Sequence, residues 1–184
     1  MAAIRGAMPE FHITGRPEKT PDSIVAKLRR TKTELARMQD IAGCRLLVDQ
    51  IEDQDGVVAR LSSMFVGARI VDRRVDPSFG YRAVHVIPTV EGRQVEIQVR
   101  TFPQHLWATV SESLSDSLGQ DLKYGGRRPE LDASRRYLDR ASAMIAIFET
   151  GETASFLREE PLERSSGVMG AALAIMTLAA REDV

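Results

Sequence analysis

Polar and charged side chains alternate with apolar ones along two neighbouring stretches of the chain. In "QVEIQVRT" the polar positions are Glu96, Gln98 and Arg100, and in "GYRAVHV" they include Arg82 and His85. Successive side chains of a β-strand point to opposite faces, so each stretch predicts a strand with one polar and one apolar face. These polar faces are either the solvated outside of a sheet or the wall of a cleft that binds a charged ligand.

The stretch "DIAGCRLL" adds further charge, because it is entered through Asp40 and carries Arg45. If its strand neighbours the other two, carboxylates and arginines gather on one surface of a sheet. Phosphoryl or pyrophosphoryl transfer uses such a set: carboxylates hold magnesium, cations offset developing charge, and a base or an oriented acceptor hydroxyl completes the site. Asp40, Glu96 and the arginines could supply all of these functions.

An aromatic residue follows a flexible one in "FGYR", where Tyr81 comes directly after Gly80. A tyrosine ring can stack on a purine base, a contact worth roughly 1–3 kcal/mol in nucleic-acid complexes. The same ring can also serve as a half-buried structural anchor for the loop. The spacing of the residues leaves both interpretations open.

The hydrophobic pattern predicts the helices and strands that position these residues. The predicted elements are, in chain order, a basic amphipathic helix in "TPDSIVAKLRR", a strand from about Ile41 to Val48, a helix in "DQDGVVARLSSMF", a strand in "ARIVDRRV", a hairpin of "RAVHVIPTV" and "RQVEIQVRT" around "EG", a helix in "FPQHLWATVSESLSDSL", and helices beyond Pro129. The apolar stripe of the helix after the hairpin is predicted at Leu106, Val110, Leu114 and Leu118. This order favours an α+β fold with a sheet covered by helices. Four strands are visible and a fifth could escape detection, since residues 1–20 show no clear periodicity.

Composition narrows the class of protein. With 184 residues, 43% of them hydrophobic and 28% charged, the chain is long enough for one globular domain, and its net charge of −1 does not by itself indicate a nucleic-acid or membrane surface. The single cysteine, Cys44, excludes an internal disulfide and a cysteine-rich zinc site, and its apolar surroundings predict a small buried residue. The start of the chain lacks the apolar core of a signal peptide, and "GVMGAALAIMTLAA" is too short to span a bilayer. We therefore expect a cytoplasmic protein that does not enter a membrane.

Five blocks taken together resemble a known family. The blocks "TPDSIVAKLRR", "DIAGCRLLV", "GYRAVHV", "VEIQVRT" and "QHLWATVSESLSD" resemble, in this order, the synthetase domain of the RelA/SpoT alarmone synthetases, in particular the single-domain small alarmone synthetases. The resemblance implies a nucleotidyltransferase-like mixed β-sheet flanked by helices. It also implies transfer of the β,γ-pyrophosphate of ATP to the 3′-hydroxyl of GDP or GTP, which makes the alarmone (p)ppGpp and releases AMP.

The resemblance also implies roles for individual residues. Asp40 would bind the Mg²⁺ cofactor, and Glu96, the second acidic residue, would orient the metal or the acceptor hydroxyl and could act as the base. Tyr81 is similar to the family's guanine-stacking residue. The residues implied on the ATP side are Arg16, Lys19, Ser23, Lys27 and Arg45. The residues implied on the acceptor side are Tyr81, Arg82, His85, Gln98, Arg100 and His105, of which either histidine could instead be structural.

Three departures from the family pattern leave alternatives open. Arg16 stands three residues before Lys19, whereas many members have an arginine two residues before that lysine. In "DPSFGYR", Phe79 occupies the place where an asparagine is common, and no lysine precedes it. Asp76 in the same loop would repel a diphosphate. The acceptor could therefore be an adenosine nucleotide or the 3′ end of a tRNA, as in toxin-like small synthetases, or the chain could be a catalytically inactive nucleotide-binding member.

The tRNA alternative requires basic surface outside the cleft, for which "YGGRRP", "SRRYLDR" and the amino-terminal lysines are candidates. The same segments could be ordinary solvated helix faces.

The resemblance divides the chain into three parts. Residues 1–15 are expected to be an amino-terminal extension, residues 16–126 the synthetase core, and residues 127–184 a helical segment that packs on the core or mediates a homo-oligomer. We expect no hydrolase domain and no carboxyl-terminal regulatory region. We also expect the carboxylates of Asp40 and Glu96 to lie within about 10 Å of each other, because one magnesium ion bridges only neighbouring oxygens.

Overall fold

The computed structural model describes residues 1–15, 24–25, 27–29, 32, 43–119, 121–124 and 128–150. The chain divides into two compact units. The sheet unit comprises Met1–Asp76 and Ala83–Phe102, and the helical unit comprises Pro77–Arg82 and Pro103–Val184. In the helical unit no residue beyond 150 is among those described.

The sheet unit contains a five-stranded mixed sheet. Its elements are α1 (Ala2–Ala7), β1 (His12–Gly15), β2 (Gly43–Val48), α2 (Ile51–Met64), β3 (Arg69–Asp72), β4 (Val84–Ile87), β5 (Thr89–Val90), β6 (Arg93–Gln94) and β7 (Glu96–Thr101). The sheet order is β1-β2-β7-β4-β3, while β5 and β6 form a separate two-stranded sheet. Among the strand pairs of the described residues, only β2–β7 is parallel. The predicted mixed sheet with helices is confirmed.

The predicted hairpin is also confirmed. Strands β4 and β7 pair antiparallel, with Val84 opposite Val99 and Val86 opposite Ile97. The hairpin turns at Glu91 and Gly92, which have φ values of 50° and 74°. Two successive positive φ values are typical of a type I′ turn, whose twist matches that of the flanking strands. The "EG" pair was therefore a correct turn signal.

The fifth strand is β1, which lies in the residues that showed no periodicity. It pairs antiparallel with β2, with Ile13 opposite Leu46. Within β1 only Ile13 is a large apolar residue, so the sequence shows no alternating pattern there. Residues 1–15, expected to be an extension, thus contribute an edge strand to the sheet.

One face of the sheet is the apolar core of the sheet unit. The buried residues of this core are Ile4, Met8, Ile13, Cys44, Leu46, Val48, Val57, Leu61, Val86, Ile97 and Val99. Cys44 is buried as predicted, and burial raises the pKa of its thiol, which keeps the thiol protonated and unreactive. Helix α2 is fastened to the central strand by the fully buried Gln54, whose Nε2 donates to the carbonyl oxygen of Val99 at 2.8 Å.

The helical unit is built around α3 (Phe102–Leu118), α4 (Asp121–Tyr124), a 3₁₀ turn (Pro129–Leu131) and α5 (Asp132–Thr150). Its buried core contains Trp107, Ala108, Leu122, Leu131 and Leu138. The predicted apolar stripe of α3 is wrong at its end, because Leu118 is 39% exposed whereas Ser111 and Ser115 are buried. Trp107 explains this shift, since its ring packs in the core and its Nε1 donates to the carbonyl oxygen of Leu138 at 2.8 Å.

No helix in the described part of the chain is both long enough and apolar enough to span a membrane. The segment "GVMGAALAIMTLAA" lies outside the described residues.

Candidate functional site

The polar face of β7 is buried. Glu96, Gln98 and Arg100 are only 8%, 4% and 2% exposed, although they alternate with the core residues Ile97 and Val99. All six residues of β7 are buried, so both faces of the strand are shielded from solvent. The interpretation of these residues as a solvated outer face is therefore wrong. Burying a carboxylate, an amide and a guanidinium group lowers the free energy of unfolding unless these groups are hydrogen-bonded.

Hydrogen bonds connect these side chains in a row along the strand. The Nε2 of Gln98 donates to Oε2 of Glu96 at 2.8 Å, and Nη2 of Arg100 donates to Oε1 of Gln98 at 2.9 Å. On the neighbouring strand β4, Nδ1 of His85 lies 3.0 Å from Oε1 of Glu96. We call His85, Glu96, Gln98 and Arg100 the polar ladder. Both carboxylate oxygens of Glu96 thus have a partner, so the orientation of the carboxylate is fixed.

The strand register places a second arginine beside the ladder. Gln98 of β7 lies opposite His85 on one side and opposite Arg45 of β2 on the other. Residues in register point to the same face of a sheet, so Arg45 shares the face of the ladder. The three predicted strands are therefore neighbours, in the order β2, β7, β4. This face of the sheet unit combines one oriented carboxylate with two guanidinium groups and an imidazole.

Several predicted site residues lie outside the described part of the chain. These are Asp40, Arg16, Lys19 and Ser23. Lys27 lies in a described helical stretch and is half-buried. The distance from Asp40 to Glu96 and the role of Asp40 as a magnesium ligand therefore stay predictions. Within the described residues, no group of three or more His, Cys, Asp or Glu side chains is arranged to hold a metal ion.

Tyr81 belongs to a tight turn in the helical unit. The N–H of Tyr81 donates to the carbonyl oxygen of Ser78 at 3.0 Å, and the N–H of Ser78 donates to that of Tyr81 at 3.3 Å. The two residues between them, Phe79 and Gly80, have φ values of 51° and 80°. This is the pattern of a type I′ turn. We call Ser78–Tyr81 the 78–81 turn.

Only glycine fits at position 80. A Cβ atom added there would lie 2.8 Å from a ring carbon of Trp107 and 3.3 Å from Oδ1 of Asp139. The positive φ independently disfavours any residue with a Cβ. The turn is therefore held by its own backbone hydrogen bonds and by its close approach to the Trp107 ring.

The Tyr81 ring is both anchored and partly accessible. Its centroid lies 6.5 Å from that of Trp107, with the two ring planes tilted by 55°, and the residue is half-buried. This packing supports the anchor interpretation, and the stacking role stays a prediction.

Phe79 occupies a backbone conformation that its side chain disfavours. The left-handed conformation costs an ordinary residue roughly 1–2 kcal/mol, whereas asparagine and glycine adopt it more readily. Asparagine is common at this place in the family that the sequence resembles, and it would adopt this positive φ at a lower cost in free energy than Phe79. Phe79 is nevertheless 55% exposed, so burial of its ring offsets little of that cost.

Asp76, at the edge of the sheet unit, is highly exposed. Its Oδ2 lies 3.4 Å from Nη1 of Arg73, and this ion pair partly offsets the negative charge that was expected to repel a diphosphate.

The predicted acceptor residues fall into two groups. His85, Gln98 and Arg100 join Glu96 in the sheet unit, while the remainder belong to the helical unit, namely Tyr81, Arg82 and His105. Arg82 is buried, and His105 is half-buried on α3.

Sequence reasoning missed two residues that support these groups. Gln54 docks α2 on β7, and Trp107 supports the 78–81 turn. The only available signal was that Trp107 is the single tryptophan of the chain and lies in "QHLWATVSESLSD".

Comparison with known proteins relates this chain to one family. A family model described as "Region found in RelA / SpoT proteins" matches residues 15–115. The chain is 34% identical over 170 residues to the GTP pyrophosphokinase YjbM of Bacillus subtilis, which covers 84% of this chain and 72% of that protein. It is 40% identical over 128 residues to an uncharacterized protein of Mycobacterium tuberculosis, Rv1366, covering 67% of this chain. The chain spans only 46% of that mycobacterial relative.

A solved structure shares the fold. The crystal structure of the small alarmone synthetase 1 from Bacillus subtilis bound to its product pppGpp superposes with a TM-score of 0.60 at 26% sequence identity. The match covers 92% of this chain and 87% of that chain.

Proposed function

Because the chain belongs to the RelA/SpoT family, we propose that it is an ATP-dependent pyrophosphokinase that transfers the β,γ-pyrophosphate of ATP to the 3′-hydroxyl of GDP or GTP. AMP is the second product. The observation that carries this proposal is the polar ladder, a row of buried polar side chains that ends in the oriented carboxylate of Glu96. The related GTP pyrophosphokinase of Bacillus subtilis supports the same reaction class.

A purely structural central strand would not need the ladder. Apolar residues at the same positions would avoid the cost of burying a charge, and buried ion pairs are often replaceable by apolar residues without loss of stability. A catalytic carboxylate, by contrast, must be held in one orientation by neighbouring hydrogen bonds. The two contacts to Glu96 supply that orientation.

In the proposed reaction, Glu96 orients the acceptor 3′-hydroxyl and accepts its proton. The 3′-oxygen forms a bond to the β-phosphorus of ATP while the bond from that phosphorus to the oxygen bridging the α-phosphate breaks, and AMP departs with that bridging oxygen. Arg45 and Arg100 are the described cations on the ladder face that would offset the developing negative charge.

We propose Mg²⁺ as the cofactor on the chemistry of the ligands. Mg²⁺ prefers oxygen ligands, carboxylate oxygens among them, and Glu96 and Asp40 both carry a carboxylate. Glu96 is thus compatible with a Mg²⁺ ion held mainly by Asp40, and when bound the ion would neutralise phosphate charge. We propose Arg16, Lys19, Ser23 and Lys27 for the phosphates and ribose of ATP, as the resemblance implies.

Two ion pairs of the helical unit argue against tRNA as the acceptor. Arg128 Nε lies 2.9 Å from Glu130 Oε1, and Arg135 Nη1 lies 3.1 Å from Asp132 Oδ1. These contacts offset part of the basic charge that a tRNA backbone would need. The altered loop before Tyr81 still makes an adenosine nucleotide the second candidate acceptor.

The proposal is tested by incubating the purified full chain with β-labelled ATP, Mg²⁺ and one acceptor at a time. The acceptors are GDP, GTP, ADP and deacylated tRNA. We expect equal amounts of AMP and a pyrophosphorylated guanosine nucleotide. Transfer to ADP or tRNA alone would reassign the acceptor, and the absence of AMP with every acceptor would identify an inactive member.

A further inference from the structure

The 78–81 turn carries an aromatic side chain, Phe79, that contributes little to the stability of the fold. Phe79 adopts a φ of 51°, and its residue is 55% exposed. Backbone strain of this kind is retained where the surrounding structure enforces it, and it is concentrated at ligand-binding sites. Neither conformation nor burial therefore accounts for phenylalanine at this position.

The turn is also rigid. The paired backbone hydrogen bonds between Ser78 and Tyr81 close it, and Gly80 packs against the Trp107 ring so closely that no side chain could be inserted. A rigid turn holds an exposed ring in place before a ligand arrives, which lowers the entropic cost of binding.

The charges around the turn favour recognition of a base over recognition of phosphates. Residues 77–82 contain one cationic side chain, Arg82, and it is buried. The preceding Asp76 is anionic and highly exposed. A phosphate group gains little from such a loop, whereas an aromatic ring can stack on any nucleobase.

We propose that Phe79 is an acceptor-binding residue that stacks on the guanine base of the acceptor, in addition to the role proposed for Tyr81. This inference rests on the proposed function, because that function makes a guanosine nucleotide the ligand of the turn. In a cationic acceptor loop, contacts with the acceptor's phosphates would contribute to the binding free energy. In this loop, stacking of the Phe79 ring on the base takes the place of that contribution.

Trp107 provides a direct measurement that does not depend on catalysis. It is the only tryptophan of the chain and contacts the turn at Gly80, so its fluorescence reports on ligand binding there. The full chain is titrated with GDP as wild type, as Phe79→Asn, and as Phe79→Tyr, which retains a ring. The matched control is Phe148→Asn, which removes an 83% exposed phenylalanine from α5 of the same unit.

We expect Phe79→Asn to raise the Kd for GDP about tenfold, while Phe79→Tyr stays within about twofold of wild type. The same Asn variant should be more stable, because asparagine tolerates the left-handed conformation. Its fluorescence-detected Tm should rise by about 2–4 °C. Phe148→Asn should leave the Kd unchanged.

Weaker GDP binding together with a higher Tm for Phe79→Asn would identify the Phe79 ring as a ligand-binding group. An unchanged Kd for Phe79→Asn overturns the inference, as does a lower Tm, which would give Phe79 a structural role. Equal weakening by the Tyr variant, or no GDP binding by wild type, also overturns it.

The AMP assay separates this inference from the proposed function. Ring-dependent GDP binding without AMP release would refute the proposed function and leave the inference standing. AMP release together with normal GDP binding by Phe79→Asn would refute the inference alone.

Discussion

The polar ladder of the sheet unit and the 78–81 turn of the helical unit hold their candidate residues by different physical means. In the ladder, side chains hold one another: Gln98 and His85 contact the two oxygens of Glu96. In the turn, the backbone conformation positions the residues, because Phe79 and Gly80 adopt positive φ values and Gly80 lies close to Trp107. The ladder should therefore be sensitive to the chemical identity of its side chains, and the turn to the conformation that each residue allows.

The largest expected effect tests the ladder. Replacing Glu96 by glutamine preserves its shape but removes its charge, so transfer should fall at least about 100-fold, the scale of a lost acid or base. Single-turnover release of AMP measures this loss, and the Tm checks that the fold persists. Glu91→Gln, at the exposed hairpin turn of the same unit, is the matched control and should retain full activity. Near-normal transfer by Glu96→Gln would remove the ladder from the mechanism.

The turn is tested by Gly80→Ala, with Gly92→Ala as its control. Both glycines have a positive φ, but a Cβ at Gly92 would meet nothing within 4 Å. Gly92→Ala should therefore cost only the conformational strain, about 1 kcal/mol. Gly80→Ala should cost roughly 1–3 kcal/mol more, because its methyl group collides with the Trp107 ring. Denaturant unfolding followed by Trp107 fluorescence for Gly80→Ala and by circular dichroism for Gly92→Ala measures both values, and equal costs would contradict the close contact.

His85 offers a smaller and sharper test of the ladder. If His85 acts by positioning the Glu96 carboxylate, His85→Ala should lower the kcat of transfer about tenfold with little change in KM. In the Glu96→Gln background the same substitution should have almost no further effect, because residues that act as a unit are not additive.

The control for this cycle is His12→Ala, which alters an exposed histidine of β1. Additive losses in the double variant would assign His85 an effect independent of Glu96.

The smallest expected effect concerns Asp139, whose carboxylate faces the turn. Partial desolvation of its carboxylate raises the pKa of Asp139 above its ordinary value of 3.8, although the residue as a whole is exposed. The folded state thus favours the neutral carboxyl group, and at neutral pH the ionised group lowers the free energy of unfolding.

Asp139→Asn should accordingly raise the Tm near neutral pH, and this gain should vanish as the pH falls below the ordinary pKa of aspartate. Thermal melts across that pH range measure the effect, with the exposed Asp116→Asn as control. A gain independent of pH would show that charge is not its cause.

The sheet was largely predictable because its strands carry strong alternation. The hairpin of β4 and β7 follows from alternating residues around "EG", whereas the place of β2 beside β7 was only a condition for gathering the charges on one surface. Strand β1 was not predictable, since its residues "HITG" include a single large apolar side chain and so show no alternation. The division into two units depends on contacts between distant residues, which no local pattern records.

The candidate site was predictable in its residue types but not in its contacts. Alternation placed Glu96, Gln98 and Arg100 on one face, but the burial of that face depends on tertiary packing, which a local pattern does not record. The support of the turn by Trp107 depends on the packing of α3 against α5, so no local pattern connects Trp107 with Gly80.

Strand β7 lies at the centre of the sheet order although it is the last of the five strands in the chain. During translation the ribosome therefore releases β1, β2, β3 and β4 before the strand that joins them. Until Thr101 has emerged, at most the β1–β2 and β3–β4 pairs can form, and each leaves an unpaired inner edge that is prone to aggregation. The nascent chain orients the Glu96 carboxylate only when those edges close around β7. A chain that ends before β7 is complete therefore lacks the strand contacts that orient this carboxylate.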